Sequence, residues 1–566
     1  MNAEIIVRWI AAWVLATAIA CVAVHRVYAL EIDLDHPRAV IASVWDGGQL
    51  IERAVLAGVA PHGQAQSPGA ARLDAALASH PDATLVYESI VAEGPIVAWS
   101  QSALAMSLVA GHDGISATLA DRTAYVTPDD LLARQAYDKG VRFGALELST
   151  GVDAPLALAV LSDRLGTNVR DLLDKARLRR IRVVRTLASM SSSRAATADT
   201  LTHGRVRDAA VVAGRYLARG VDTDGRFRYL VDAPTNTALP GYDWPRHAGA
   251  TYFLAQIAAL SGDTDVAWAA LRAAGLLRDH AMIVCGEHRC IGDARVVDVG
   301  STALTVLAFV EMARTKLDVG YGLLVPELTA FLRAQQRQDG EFMHLYDRAA
   351  QRPIDTQLLY YSGEAAFALS RAHSLLGDGR DLDAAKRALE HQVAAAWSFF
   401  GSRYYWGEEH WTCQAMDDLW NRAPSTRALQ FCLDWQEYNR KLQYGVGETP
   451  FDADGAYGLG PLLTPRLTPV GSRTEAALAT LEAARRAGVS ASDLEPLDRQ
   501  IRRSLALLLR HQMRSGDDNA HLLADPASVD GAMPGTEVDW QLRIDYAQHA
   551  GCALVRWLER ASGATM

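Results

Sequence analysis

The sequence predicts a mainly helical protein: a closed ring of six helical hairpins, an (α/α)6 toroid, preceded by a smaller α/β (α+β) domain and by an N-terminal apolar helix acting as signal or anchor. Three observations predict it. The 566 residues exceed what one hydrophobic core usually organises. Beyond residue 200 the chain becomes a succession of amphipathic Ala- and Leu-rich segments, and six of these share one design. Residues 9–24 contain no charged side chain.

Residues 1–30 read as a signal peptide or a signal anchor. The uncharged run is shorter than the roughly 20 apolar residues of a spanning helix, but its flanks extend it if Arg8 and Arg26 snorkel. Val27-Tyr28-Ala29 resembles a small-x-small cleavage site, so cleavage and anchoring both stay open. Either places the bulk of the chain in the cell envelope, on the periplasmic or extracellular side, with the membrane as a partner if the segment is kept.

Residues 31–185 mix β-rich runs at 84–91, 114–119 and 121–128 with helical stretches such as 128–137, a small module of α/β or α+β type. The basic run at 178–185 reads as a solvated edge strand. Residues 186–204, rich in Ser and Ala, read as a linker.

Residues 205–566 hold the repeats. A polar or aromatic cluster followed by a small-residue helix recurs at 246–256, 300–308, 361–371, 410–419, 472–481 and 548–557. A more charged helix precedes each, for example at 206–217, 326–336 and 496–510. Charge on one side and Leu/Ala on the other makes these the outer helices around an inner ring.

Net charge is −10, without the basic footprint of a nucleic-acid binder. Of six cysteines, Cys285 and Cys290 bracket four residues in a loop where an oxidising compartment favours a disulfide. Zinc held by Cys285, Cys290 and His288 is the competing reading, although the spacing is not the usual two-residue knuckle. Cys413, Cys432 and Cys552 offer a second bridge that spacing does not assign.

Parallel inner helices bring their N-termini to one mouth, where unpaired N–H groups suit hydroxylated or anionic ligands. The clusters there supply catalytic candidates Asp243, His247, Glu364, Glu408, Glu409, His410 and Asp545. Candidate binding residues are Tyr242, Trp244, Arg246, Tyr360, Tyr361, Trp411, Arg473, Glu475, Gln548 and His549. Aromatic faces stack on sugar rings, and carboxylates and imidazoles supply acid and base. Each also has a structural reading: Asp243 as a helix cap, Glu364 and Glu475 as ion-pair partners, the aromatics as core. Asp298 and Asp355 stand before two inner helices, and turn chemistry accounts for the Asp-Gly loops at 222–225 and 339–340.

The repeat count, helix order and aromatic-carboxylate mouth, with Tyr242-Asp-Trp-Pro-Arg-His and Arg543-Ile-Asp-Tyr-Ala-Gln-His, resemble the six-hairpin toroid enzymes: glycoside hydrolases, polysaccharide lyases and sugar epimerases. The resemblance implies an enzyme acting on a polysaccharide or other glycan, and the N-terminal segment makes it an exported or anchored one; no metal and no cofactor are expected. The hydrolytic form draws two carboxylates from Asp243, Glu364, Glu408, Glu409 and Asp545. The lyase or epimerase form uses His247, His410 or a tyrosine as base, with Arg246 or Arg473 holding a uronate. The alternatives are a non-catalytic envelope protein that binds glycan or peptide while its N-terminal module docks an envelope partner, and a zinc-dependent cyclase or transferase of the same fold.

Overall fold

The computed structural model describes residue 30 and residues 32–56, 68–98, 101–137, 140–143, 146–149, 152–187, 196–395, 410–458 and 464–561. Residues 1–29, the centre of the linker, Glu408 and Glu409 lie outside the described residues. No helix among the described residues is long and apolar enough to cross a membrane.

The N-terminal module is α+β. Its strands are β1 (Ala39–Asp46), β2 (Gln49–Leu56), β3 (Thr84–Pro95), β4 (Asp113–Leu119), β5 (Arg122–Val126) and β6 (Arg177–Leu187). They form one antiparallel sheet in the order β2-β1-β3-β6-β4-β5. Helices α1 (Pro68–Ser79), α2 (Gln101–Met106), α3 (Pro128–Ala133), α4 (Ala154–Leu165) and α5 (Val169–Lys175) accompany it. The basic strand β6 is interior, not the edge strand its arginines suggest. Buried carboxylates make that possible: Arg182 Nε lies 2.5 Å from Asp113, and Arg185 Nη1 lies 2.7 Å from Asp129. Paired and hydrogen-bonded in this way, a guanidinium tolerates burial that an isolated one would not.

The ring follows. Its outer helices are α6 (His203–Arg219), α8 (Thr264–Leu276), α10 (Val325–Gln335), α12 (Gly379–Ala395), α14 (Thr426–Leu442) and α16 (Ala491–His511). Its inner helices are α7 (Trp244–Ser261), α9 (Val299–Arg314), α11 (Tyr361–Leu376), α13 (His410–Leu419), α15 (Thr468–Arg486) and α17 (Ile544–Ala561). Each inner helix packs on the next, and α17 returns to α7, so the ring closes. Small residues permit the approach. A Cβ at Gly363 would lie 2.8 Å from Trp411 Cβ, and one at Gly471 would lie 2.8 Å from Ala550 N. Helix α9 is buried without a break from Val299 to Met312, as an inner helix must be.

The Asp-Gly loops are structural. Gly225 and Gly340 have φ of +88° and +98° and pack on the carbonyls of Arg272 and Arg387 in the next outer helices, positions that admit no side chain. Cys285 and Cys290 are joined across the hairpin at 282–291, and Cys413 on α13 is joined to Cys432 on α14. Cys552 is a buried thiol.

At the C-terminal end of the inner helices a belt of ion pairs spans the ring. Glu311 binds Arg314 at 2.6 Å and Arg371 at 3.1 Å, Arg371 reaches Asp418 at 3.4 Å, and Asp417 binds both Arg486 and Arg556. The module sits against the segment between α16 and α17. Trp45, Leu104, Ile115 and Leu131 share one hydrophobic cluster with Val231, Leu522, Val529, Trp540 and Leu542, and His521 Nε2 lies 2.8 Å from the buried Asp129.

Candidate active site

All six inner helices present their N-terminal ends to one cavity of about 820 Å³. The local sequence explains the residues found there. Asp243 caps α7 by accepting from Arg246 N at 3.0 Å, and Asp298 caps α9 by accepting from Ser301 N at 2.7 Å. Helix α11 begins instead at Tyr360, whose φ of +76° is costly for a side chain with a Cβ. That backbone holds the Tyr360 ring 6.0 Å from the His410 ring.

The wall made by α7, α9 and α11 is acidic. Asp243 accepts from Tyr229 Oη at 2.8 Å and pairs with Arg246. Arg246 Nε reaches Asp545 at 3.2 Å, and Arg543 forks onto the same carboxylate at 2.6 and 2.9 Å. Glu364 is different. It is buried, its Oε2 accepts no hydrogen bond, and it fits only because residue 300 is glycine, where a Cβ would lie 2.6 Å from that oxygen. Burial holds the Glu364 carboxyl well above its ordinary value, helped by Asp298 and Asp243 and opposed by the Arg246 guanidinium and the Trp411 indole. Burial raises Asp298 too, with Asp243 adding to it. Glu364 is therefore biased toward its protonated form.

Glu364→Gln tests this. A folded-state pKa above the ordinary 4.5 makes stability fall as pH rises from 4.5 through the raised value. Thermal unfolding from about pH 4 to about pH 9 is expected to show the variant gaining on the parent as pH rises. A constant difference would mean that Glu364 carries its charge in the folded protein.

The facing wall carries two imidazoles. His549 on α17 lines the cavity with Nδ1 2.8 Å from Glu475 Oε1, which leaves Nε2 for a ligand. Glu475 is buried on α15 and also takes Gln414 Nε2 at 3.4 Å; burial raises its carboxyl and His549 acts against that. His410 opens α13, is 2% exposed, and neither of its ring nitrogens has a hydrogen-bond partner among the described residues. Burial, with the nearby His549 and Arg473, holds it well below the usual imidazole range, so it is neutral. The two rings stand 5.5 Å apart, and Trp411 lies 4.7 Å from His410 and 6.0 Å from His549.

Among the residues singled out in the sequence, the cavity collects Asp243, Arg246, Tyr360, Tyr361, Glu364, His410, Trp411, Asp545, Gln548 and His549. The other described candidates lie outside its lining. His247 is fully buried, with Nε2 2.9 Å from Ala273 O and Nδ1 2.6 Å from Tyr242 Oη, and burial lowers it to about 4. It is a satisfied core histidine, not a base. Tyr242 is occupied by that bond and by Phe227 N, and Trp244 packs edge-on against it; neither lines the cavity. Asp545, held by two arginines, suits a positioning role better than proton transfer. Glu475 acts through His549, and the Arg473 guanidinium lies 5.0 Å from the Tyr457 ring centre, outside the cavity lining. Asp355 pairs with Arg337 at the surface.

Arg466, Thr468 and Ser472 line the cavity besides these candidates, as do Arg543 and Tyr546, which the sequence offered only within a motif. The recurrence of clusters just before inner helices was the signal that could have found them.

No family model matches the sequence, and no characterised protein matches it in a sequence comparison. Solved structures with a similar fold include a D-mannose isomerase at 12% identity and TM-score 0.49, covering 65% of this chain and 99% of that one. A cellobiose 2-epimerase from Bacillus thermoamylovorans B4167 is 11% identical with TM-score 0.46, covering 61% and 95%. An unsaturated glucuronyl hydrolase specific for heparin is 13% identical with TM-score 0.45, covering 64% and 99%.

Proposed function

We propose that the cavity is the active site of a carbohydrate-active enzyme that moves a proton on a sugar, as an epimerase or isomerase does. One observation carries the reading. Two imidazoles share a cavity 5.5 Å apart, one held by a buried carboxylate and the other buried with both nitrogens unbound among the described residues. Catalytic bases are held in this way, with a second group fixing tautomer and orientation.

The chemistry balances on these residues. His549 Nε2 takes the proton from the carbon next to the open-chain carbonyl, and the electron pair moves to the carbonyl oxygen. Glu364, biased toward its protonated form, donates to that oxygen and gives an enediol, leaving His549 as imidazolium and Glu364 as carboxylate. Return of the proton from His549 to the neighbouring carbon, while the hydroxyl on the first carbon gives its proton to Glu364, yields an isomer and restores both groups. Return of that proton to the opposite face of the first carbon, while the new hydroxyl gives its proton back to Glu364, yields an epimer. Tyr360, Tyr361 and Trp411 supply the aromatic surface that covers a sugar ring.

Proton NMR of the protein in D₂O with a panel of neutral and acidic sugars is the test. Deuterium entering a carbon-bound position without cleavage is the expected result. New reducing ends would favour a second reading, hydrolysis, which rests on two carboxyl groups, Glu364 and Asp243, lining the same cavity. Binding without turnover would favour a non-catalytic glycan-binding protein. The apolar residues 9–24 and two disulfides support a cell-envelope or extracellular location. The module's role in docking an envelope partner stays part of the proposal.

A further inference from the structure

Charge in the cavity is divided between its walls. Helices α7, α9 and α11 contribute Asp243, Asp298 and Glu364; the segments leading into α15 and α17 contribute Arg466 and Arg543. Two of the three cavity arginines are already neutralised. Arg246 lies between Asp243 and Asp545, and Arg543 is forked onto Asp545. Arg466 is exposed in the lining and makes no hydrogen bond or ion pair with any described residue.

Its surroundings suit an anion. Helix α15 starts two residues later with no side-chain cap, and Thr468 and Ser472 line the same cavity, the Ser472 hydroxyl donating to Pro469 O at 3.4 Å. Tyr546 lies under the Arg543 guanidinium, 4.7 Å from ring centre to carbon, and feels the Arg466 charge as well. Low-dielectric walls focus the field of an uncompensated guanidinium, whose planar fork matches carboxylate and phosphate oxygens.

We infer that Arg466, with Thr468 and Ser472, selects a sugar bearing an anionic substituent and so fixes which carbon reaches His549 and His410. This rests on the reading of the cavity as a sugar site. The anion is a carboxylate or a phosphate, which present the same oxygens to the fork.

Isothermal titration of the full-length protein at low ionic strength with glucose, glucuronate and glucose 6-phosphate decides it. One or both anions are expected to bind at least about tenfold more tightly than glucose. Arg466→Gln is expected to erase the preference and Arg466→Lys to keep part of it, and the tighter anion identifies the substituent. Anions that bind no better than glucose, a preference that survives Arg466→Gln, or no binding by any of the three overturns the assignment. Deuterium exchange run in parallel separates the two readings. A charge preference without exchange sinks proton transfer and leaves Arg466 assigned; exchange without a charge preference does the reverse.

Discussion

Replacing His549 with alanine is expected to lower kcat and kcat/KM together by about 10²–10⁴-fold, with little change in the unfolding midpoint. The reason lies in how the ring is held. Glu475, fixed inside the ring on α15, occupies Nδ1, so the tautomer and direction of Nε2 are set before substrate arrives. Glu475→Gln leaves the imidazole present but less well oriented and is expected to lose an intermediate amount. Deuterium incorporation measured for parent and both variants checks the order. Full activity of the His549→Ala variant would remove this residue from the mechanism and shift the chemistry to the carboxylate wall.

Loss of Asp417 should cost the most stability. This carboxylate is 5% exposed and is the common partner of Arg486 and Arg556, which come from two other inner helices. Asp417→Ala leaves two guanidinium groups near the ring interior without their counter-ion, and a broken buried pair typically costs about 3–5 kcal/mol. Urea unfolding is expected to show a lower midpoint with an unchanged slope. A change within a few tenths of a kcal/mol would mean that water replaces the carboxylate at that end of the ring.

The ring was the most legible part of the sequence because its signal is repeated. Six small-residue helices, each preceded by a polar cluster, mark all six inner helices, and parallel packing gathers those clusters at one end. Individual roles were less legible, since they depend on what faces each side chain from elsewhere in the chain. His247 and His549 each stand in a His-Ala-Gly run near an inner-helix start, yet one bonds to Ala273 O and the other to Glu475. The distinction depends on outer helix α8 in one case and inner helix α15 in the other. Strand β6 was misread for the same reason: its arginines look solvated until Asp113 and Asp129 are placed beside them. Arg466 escaped notice because a lone arginine before a helix has no local signature; only the pairing of its neighbours makes it stand out.

The shared cluster between module and ring also bears on how the chain is made. Synthesis delivers the module's last strand by residue 187, but Leu522, Val529 and Trp540, which complete its hydrophobic interior, emerge only after outer helix α16. The ring waits for the same stretch, because α17 supplies the contacts that join it to α6 and α7. Both halves of the nascent chain thus hold apolar surface open until α17 has been made.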